Sequence, residues 1–144
     1  MKIADILEAK GRAVHSVRPT YTVAEVVDRL GDLGVGALVV GDEQVAIRGI
    51  VSERDVVRGL RTHGAALLGM PVTAVATSDV RTCTPQETIA LVMARMTAGR
   101  FRHLPVVEGR ALVGMVSIGD LVKHRVREME LETGVLRDRV IARQ

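Results

Sequence analysis

Two serines, each followed three residues later by an aspartate, hold most of the chemistry this sequence offers. Ser52 and Asp55 stand in Gly49-Ile50-Val51-Ser52-Glu53-Arg54-Asp55. Ser117 and Asp120 stand in Gly114-Met115-Val116-Ser117-Ile118-Gly119-Asp120. Each phrase is a glycine-led apolar run that reads as a strand, then serine, two variable residues, aspartate and the start of a helix. The serine falls at the N-cap and the aspartate in the first helical turn. Free amides and the positive end of the helix dipole make such a corner attractive to phosphate. A carboxylate there can accept two hydrogen bonds from the vicinal hydroxyls of a ribose, as an acidic residue does in dinucleotide folds. The same spacing also serves as a plain capping box. Its recurrence, each time after a glycine-led apolar strand, weighs toward a ligand.

The elements that must position these corners recur too. Val17-Arg18-Pro19-Thr20-Tyr21-Thr22-Val23-Ala24 aligns with Cys83-Thr84-Pro85-Gln86-Glu87-Thr88-Ile89-Ala90 at an offset of 66 residues. The two serine corners align at 65, so one residue is missing from the second copy's hairpin. Each copy reads strand, helix, strand, strand, helix. Extended pieces at 14–17 and 80–83 end at Pro19 and Pro85. Amphipathic helices follow at about 23–33 and 87–98, the first with Thr22 and Glu25 as a capping box. Apolar strands at 37–40 and 103–107, turns, and strands at 47–51 and 111–116 read as hairpins. Closing helices start at Glu53 and Ile118. Between the copies, residues 63–77 form a connector with a helical turn near Leu67 and Leu68 and a short strand at 73–76. The expected division is 1–66 for the first repeat with its N-terminal segment, 67–126 for the second, and 127–144 for a helical extension.

Composition excludes several classes. Of 144 residues 47% are hydrophobic but only 1% aromatic, Tyr21 and Phe101, so the core is aliphatic and base-stacking platforms are missing. One cysteine, Cys83, rules out an internal disulfide and reads as a small buried residue, not a nucleophile. The four histidines, His15, His63, His103 and His124, lack paired spacing, so no metal site is expected. No Walker loop, nucleophile elbow or convergent acid–base set appears, and no catalysis is expected. The start of the chain does not read as a signal peptide and no run reaches the ~18 apolar residues of a membrane span. The expectation is a cytoplasmic protein with no membrane partner. A net charge of +3 suits an anionic small molecule at least as well as nucleic acid, which is not the expected partner.

The ordered set of duplicated phrases, together with Arg102-His103-Leu104-Pro105-Val106-Val107, resembles tandem CBS domains, the Bateman module, over about residues 3–126. The resemblance implies an α+β fold of two pseudo-symmetric β-α-β-β-α repeats packed sheet to sheet. It also implies clefts that bind AMP, ADP, ATP or another adenosyl compound as a regulatory ligand. Carried over to this sequence, Asp55 and Asp120 would hold ribose hydroxyls, with Ser52 and Ser117 near phosphate. The backbone at Val17 and Pro19, and at Thr82, Thr84 and Pro85, would contact adenine. Ala37 and His103 would line the clefts with Pro105 in the same strand phrase, and Arg54, Arg102 and His103 would meet phosphates. The copies differ: Arg102-His103-Leu104-Pro105 replaces Gly36-Ala37-Leu38-Val39, and Gly119 replaces Arg54.

Beyond the second repeat, Val122, Val126, Met129, Thr133, Leu136 and Val140 recur at spacings of 4, 3, 4, 3 and 4. That is a seam for a partner helix, flanked by Arg125, Arg127, Glu128, Glu130, Arg137 and Arg139. Gly134 costs about 1 kcal/mol relative to alanine and is a candidate bend or end. A homodimer is expected, as CBS resemblance also implies. Two functions follow: a nucleotide-sensing regulator of another protein, or an interaction module with vestigial clefts working through this helix.

Overall fold

The computed structural model describes the backbone of residues 1–143 and the side chains of residues 1–135. The order is α1 (Ile3–Lys10), β1 (Ser16–Val17), α2 (Val23–Leu33), β2 (Ala37–Val40), β3 (Gly49–Ser52), α3 (Glu53–His63), α4 (Ile89–Gly99), β4 (His103–Glu108), β5 (Ala111–Ser117) and α5 (Ile118–Arg143). Two 3₁₀ turns, Gly64–Gly69 and Val72–Ala74, lie between α3 and α4. The fold is α+β, and the chain divides into two compact units.

The first unit comprises Ala13–Arg81 with Arg110–Leu112. Its sheet runs β1-β2-β3. β1 lies parallel to β2 through Ser16 opposite Val39 and Val17 opposite Val40, and β2 lies antiparallel to β3 with Ala37 opposite Ser52. All four β2 residues are buried, so the strand is a continuous apolar run instead of an alternating one. Val17, Val26, Leu30, Leu38, Val40, Val51 and Val72 form the core. The expected capping box starts α2: Thr22 Oγ1 accepts from the Glu25 amide at 3.2 Å, and Glu25 Oε1 accepts from the Thr22 amide at 3.3 Å. The strand expected at 73–76 is a 3₁₀ turn instead. Local bonds from the Ala74 amide to Pro71 O and from the Val75 amide to Val72 O curl the chain, and only Thr77 bridges to Ile50.

The second unit comprises Met1–Arg12, Thr82–Gly109 and Val113 onward. Here β4 pairs with β5. The extended piece expected at 80–83 contracts to one parallel bridge, Cys83 to Val106. α1 packs in this unit, although it precedes the first repeat in sequence. Ile3, Ile6 and Leu7 share a core with Cys83, Ile89, Val92, Met96, Leu104, Val106, Val116 and Leu121. Amides of Ile3 and Ala4 donate to Glu87 O and Pro85 O at 3.0 and 2.9 Å. Leu7 lies against Gly114, where an added Cβ would stand 2.6 Å from Leu7 Cδ2.

α4 ends on Arg100, whose φ of 56° is left-handed, with its amide bonded back to Met96 O and Thr97 O. Glycine is the usual residue at that position because a Cβ crowds the backbone there. Arg100→Gly is therefore expected to stabilise the chain by about 0.5–1 kcal/mol, read as a higher urea midpoint.

α5 runs through Gly134 without ending there. Leu121 and His124 are buried, whereas Val122, Val126, Met129 and Val135 are 42–52% exposed and Leu131 is 63% exposed. The described part of the seam, which includes exposed Thr133, is thus uncovered. Leu136 and Val140, with Arg137 and Arg139, lie outside the residues whose side chains are described.

Candidate functional site

Both serine corners form where a strand runs directly into a helix. In the first, β3 ends at Ser52, whose extended backbone (φ −124°, ψ 166°) turns the chain into α3. The Ser52 amide and hydroxyl donate to Asp55 Oδ2 at 2.8 and 3.0 Å, and the Asp55 amide donates to Ser52 Oγ at 3.4 Å. The Glu53 amide donates to Gly36 O at 3.1 Å. The second corner repeats this between β5 and α5. The Ser117 amide donates to Asp120 Oδ2 at 2.9 Å, the Asp120 amide to Ser117 Oγ at 3.2 Å, and the Ile118 amide to Arg102 O at 2.8 Å. Gly36 and Arg102 occupy equivalent repeat positions, so the backbone geometry is duplicated along with the sequence.

The capping box is therefore present at both corners, and it leaves specific groups available. Each aspartate takes its close amide bond from the N-cap on Oδ2, which leaves Oδ1 as the oxygen to meet a ligand. Of the first three amides of each helix two are engaged, leaving those of Arg54 and Gly119 open among the described residues. One carboxylate oxygen and one amide per corner suffice for a hydroxyl and an anionic oxygen. The Arg54 and Arg102 side chains are exposed and make no ion pair among the described residues.

The second corner carries an addition that motif reading missed. Lys10, the last residue of α1, donates from Nζ to Asp120 Oδ2 at 2.7 Å and to Met115 O at 3.1 Å. Burial disfavours ionisation of Asp120, but the Lys10 ammonium and the Ser117 amide outweigh it and hold the carboxyl below its usual range. His124 Nδ1 meets the Asp120 carbonyl at 3.0 Å. The available signal was periodicity: Ile3, Ile6, Leu7 and Lys10 share one helical face, and a lysine on an apolar face needs a partner.

The remaining expected residues are placed less closely. Ala37 pairs with Ser52, but Val17 pairs with Val40 at the other end of β2, on the order of 10 Å further along the strand. Val17 is buried, its carbonyl accepting from the Gly41 amide, and half-buried Pro19 lies in the turn that Tyr21 N closes onto Arg18 O. Val17, Arg18, Tyr21, Asp42 and Glu43 instead line a cavity of about 470 Å³ within the first unit, away from Asp55. In the second unit Thr82 O accepts from Arg95, and Thr84 is bonded at both backbone groups to Glu87. Pro85 O accepts from Ala4 and Pro105 O from Cys83. His103 begins β4 and is half-buried. Of the backbone donors in residues 82–85 only the Thr82 amide is without a bond among the described residues, and the carbonyls each keep a second lone pair.

Cys83 is buried, and burial reinforced by the Glu87 charge pushes its thiol up to about 12. The thiolate is the reactive form. The native chain is therefore expected to resist an aromatic disulfide reagent at pH 8 and to release one equivalent only in denaturant. Among the described residues no His, Cys, Asp and Glu group could hold a metal ion, and no helix is long and apolar enough to cross a membrane.

The CBS domain family model matches residues 3–62 and 72–127. A CBS domain-containing protein CBSX3, mitochondrial, of Arabidopsis thaliana is 34% identical over 134 residues, covering 88% of this chain but 65% of that relative's length. The crystal structure of a CBS-domain containing protein from Agrobacterium tumefaciens superposes with TM-score 0.84 at 40% identity, covering 87% of this chain and 99% of that one. The CBS domain pair of protein MJ0100, solved in complex with 5-methylthioadenosine and S-adenosyl-L-methionine, has TM-score 0.78 at 20% identity, covering 89% and 98%. With two copies of the family's pattern in sequence and a matching serine corner closing each, the chain belongs to the CBS-domain family and contains a pair of such domains.

Proposed function

We propose that this chain is a regulatory module that binds an adenine nucleotide, AMP, ADP or ATP, or a related adenosyl compound, and catalyses nothing. One observation carries the proposal. Two corners of the same backbone geometry each present an aspartate held through Oδ2 and a helix amide without a partner among the described residues. Asp55 and Asp120 accept ribose hydroxyls. Ser52 and Ser117 set the corner, and Arg54 and Arg102 with His103 meet phosphate. The adenosyl ligands of the MJ0100 pair support the ligand class. Occupancy of a corner biases the start of α3 or α5, and a partner protein in the cytoplasm reads the change.

The exposed stripe of Val122, Val126 and Met129 favours a second reading, that α5 is where a second copy docks. Dimerisation is compatible with ligand sensing, and it is the whole function if the corners are vestigial.

Isothermal titration of the chain with AMP, ADP, ATP and S-adenosylmethionine separates the two. Binding of at least one below millimolar concentration is expected. No heat from any at millimolar concentration, together with a dimer that Val126→Glu dissociates, would establish the interaction reading instead.

A further inference from the structure

The two corners match in backbone, but their carboxylates are held by different means. At Asp55 both bonds to Oδ2 come from Ser52, its own N-cap. At Asp120 the Ser117 amide is joined by Lys10, 110 residues away in sequence, with a smaller contribution from the Ser117 hydroxyl. Lys10 is itself pinned, since its ammonium also donates to Met115 O, in the strand that leads into the corner. A lysine has three donors, and here two of them fix Nζ between the end of β5 and the first turn of α5.

We propose that Lys10 is the positioning residue of the second corner, holding the Asp120 carboxylate through Oδ2 so that Oδ1 stands ready for a ribose hydroxyl. This rests on the adenosyl-ligand reading and refines it. Ligand affinity at the second corner depends on α1, whereas the bonds that hold Asp55 at the first come from its own N-cap. A mobile carboxylate must be ordered at the moment of binding, and a carboxylate already held avoids that cost. The lowered titration of Asp120 agrees, since the ammonium overcomes the burial that opposes ionisation. The other ionisable neighbour, His124, grips the Asp120 carbonyl and leaves the carboxylate to Lys10 and Ser117.

The test uses AMP titrations of the full chain in two backgrounds. Asp55→Asn isolates the second corner and Asp120→Asn isolates the first. Lys10→Met keeps the apolar stem and removes the ammonium. It is expected to weaken AMP about tenfold in the Asp55→Asn background and less than twofold in the Asp120→Asn background, with Lys10→Arg recovering most of the loss. Unchanged or tighter binding in the Asp55→Asn background overturns the proposal, as does equal weakening in both backgrounds. A ligand-free readout is the carboxyl carbon of Asp120 followed by NMR against pH. Its midpoint is expected to rise in Lys10→Met, where burial is no longer opposed by the ammonium, and an unmoved midpoint overturns the proposal. A raised midpoint in a chain that binds no AMP sinks the adenosyl reading while leaving Lys10's hold on Asp120 established.

Discussion

Leu7→Ala is expected to destabilise the unit built on the second repeat by about 2–5 kcal/mol, the range for emptying a fully buried leucine site. Leu7 is 1% exposed and lies in one core with Ile3, Ile6, Val92, Leu104 and Leu121. Its methyls fill the space over Gly114, which has no side chain to collapse into the gap. Backbone bonds from Ile3 to Glu87 and from Ala4 to Pro85 hold α1 in place, so the helix cannot easily shift to refill it. Exposed Glu8 on the same helix is the control, and Glu8→Ala is expected to stay within about 0.5 kcal/mol. Urea denaturation followed by circular dichroism reads both. A Leu7→Ala cost below about 1 kcal/mol would mean that α1 is an appendage of the second repeat and not part of its core.

The largest expected effect on binding is that of removing both carboxylates. Hydrogen bonds to a charged acceptor are worth about 1.5–3 kcal/mol each. Losing the Asp55 or Asp120 charge is thus expected to weaken an adenosyl ligand at that corner by about 10–100-fold. Asp55→Asn and Asp120→Asn keep an oxygen for the amides of Ser52 and Ser117, so the helix starts are preserved. Each single variant is expected to retain the other corner's binding, and the double variant to show none at millimolar AMP. Thermal unfolding of the double variant close to that of the parent chain distinguishes a lost site from a lost fold. Undiminished AMP binding by a folded double variant would remove both aspartates from the site.

The corners were legible because they are local. Strand, serine, two residues and aspartate fall within seven positions, and the backbone closes them by bonds that hardly depend on the rest of the chain. α2 and its cap were legible for the same reason, since Thr22 and Glu25 meet inside one turn. What sequence reading missed is long-range. Nothing within the first repeat says that Ile3, Ile6 and Leu7 are covered by residues 83–121. Lys10 went unnoticed for the same cause, because its partner is 110 residues away. The short extended pieces were overread as strands. Residues 73–76 satisfy their amides by local turns, and at 80–83 a single residue, Cys83, meets a strand. The parallel register of β1, which sets Val17 against Val40 at the opposite end of β2 from Ser52, is likewise long-range.

The functional reading depends on a carboxylate–diol contact, which the ligand itself can probe without altering the protein. Titrating the unmodified chain with AMP and with its 2′,3′-dideoxy analogue isolates that contact, since base and phosphate are the same in both. At least a tenfold loss of affinity for the dideoxy compound is expected. Equal affinity for the two would show that neither Asp55 nor Asp120 holds a sugar.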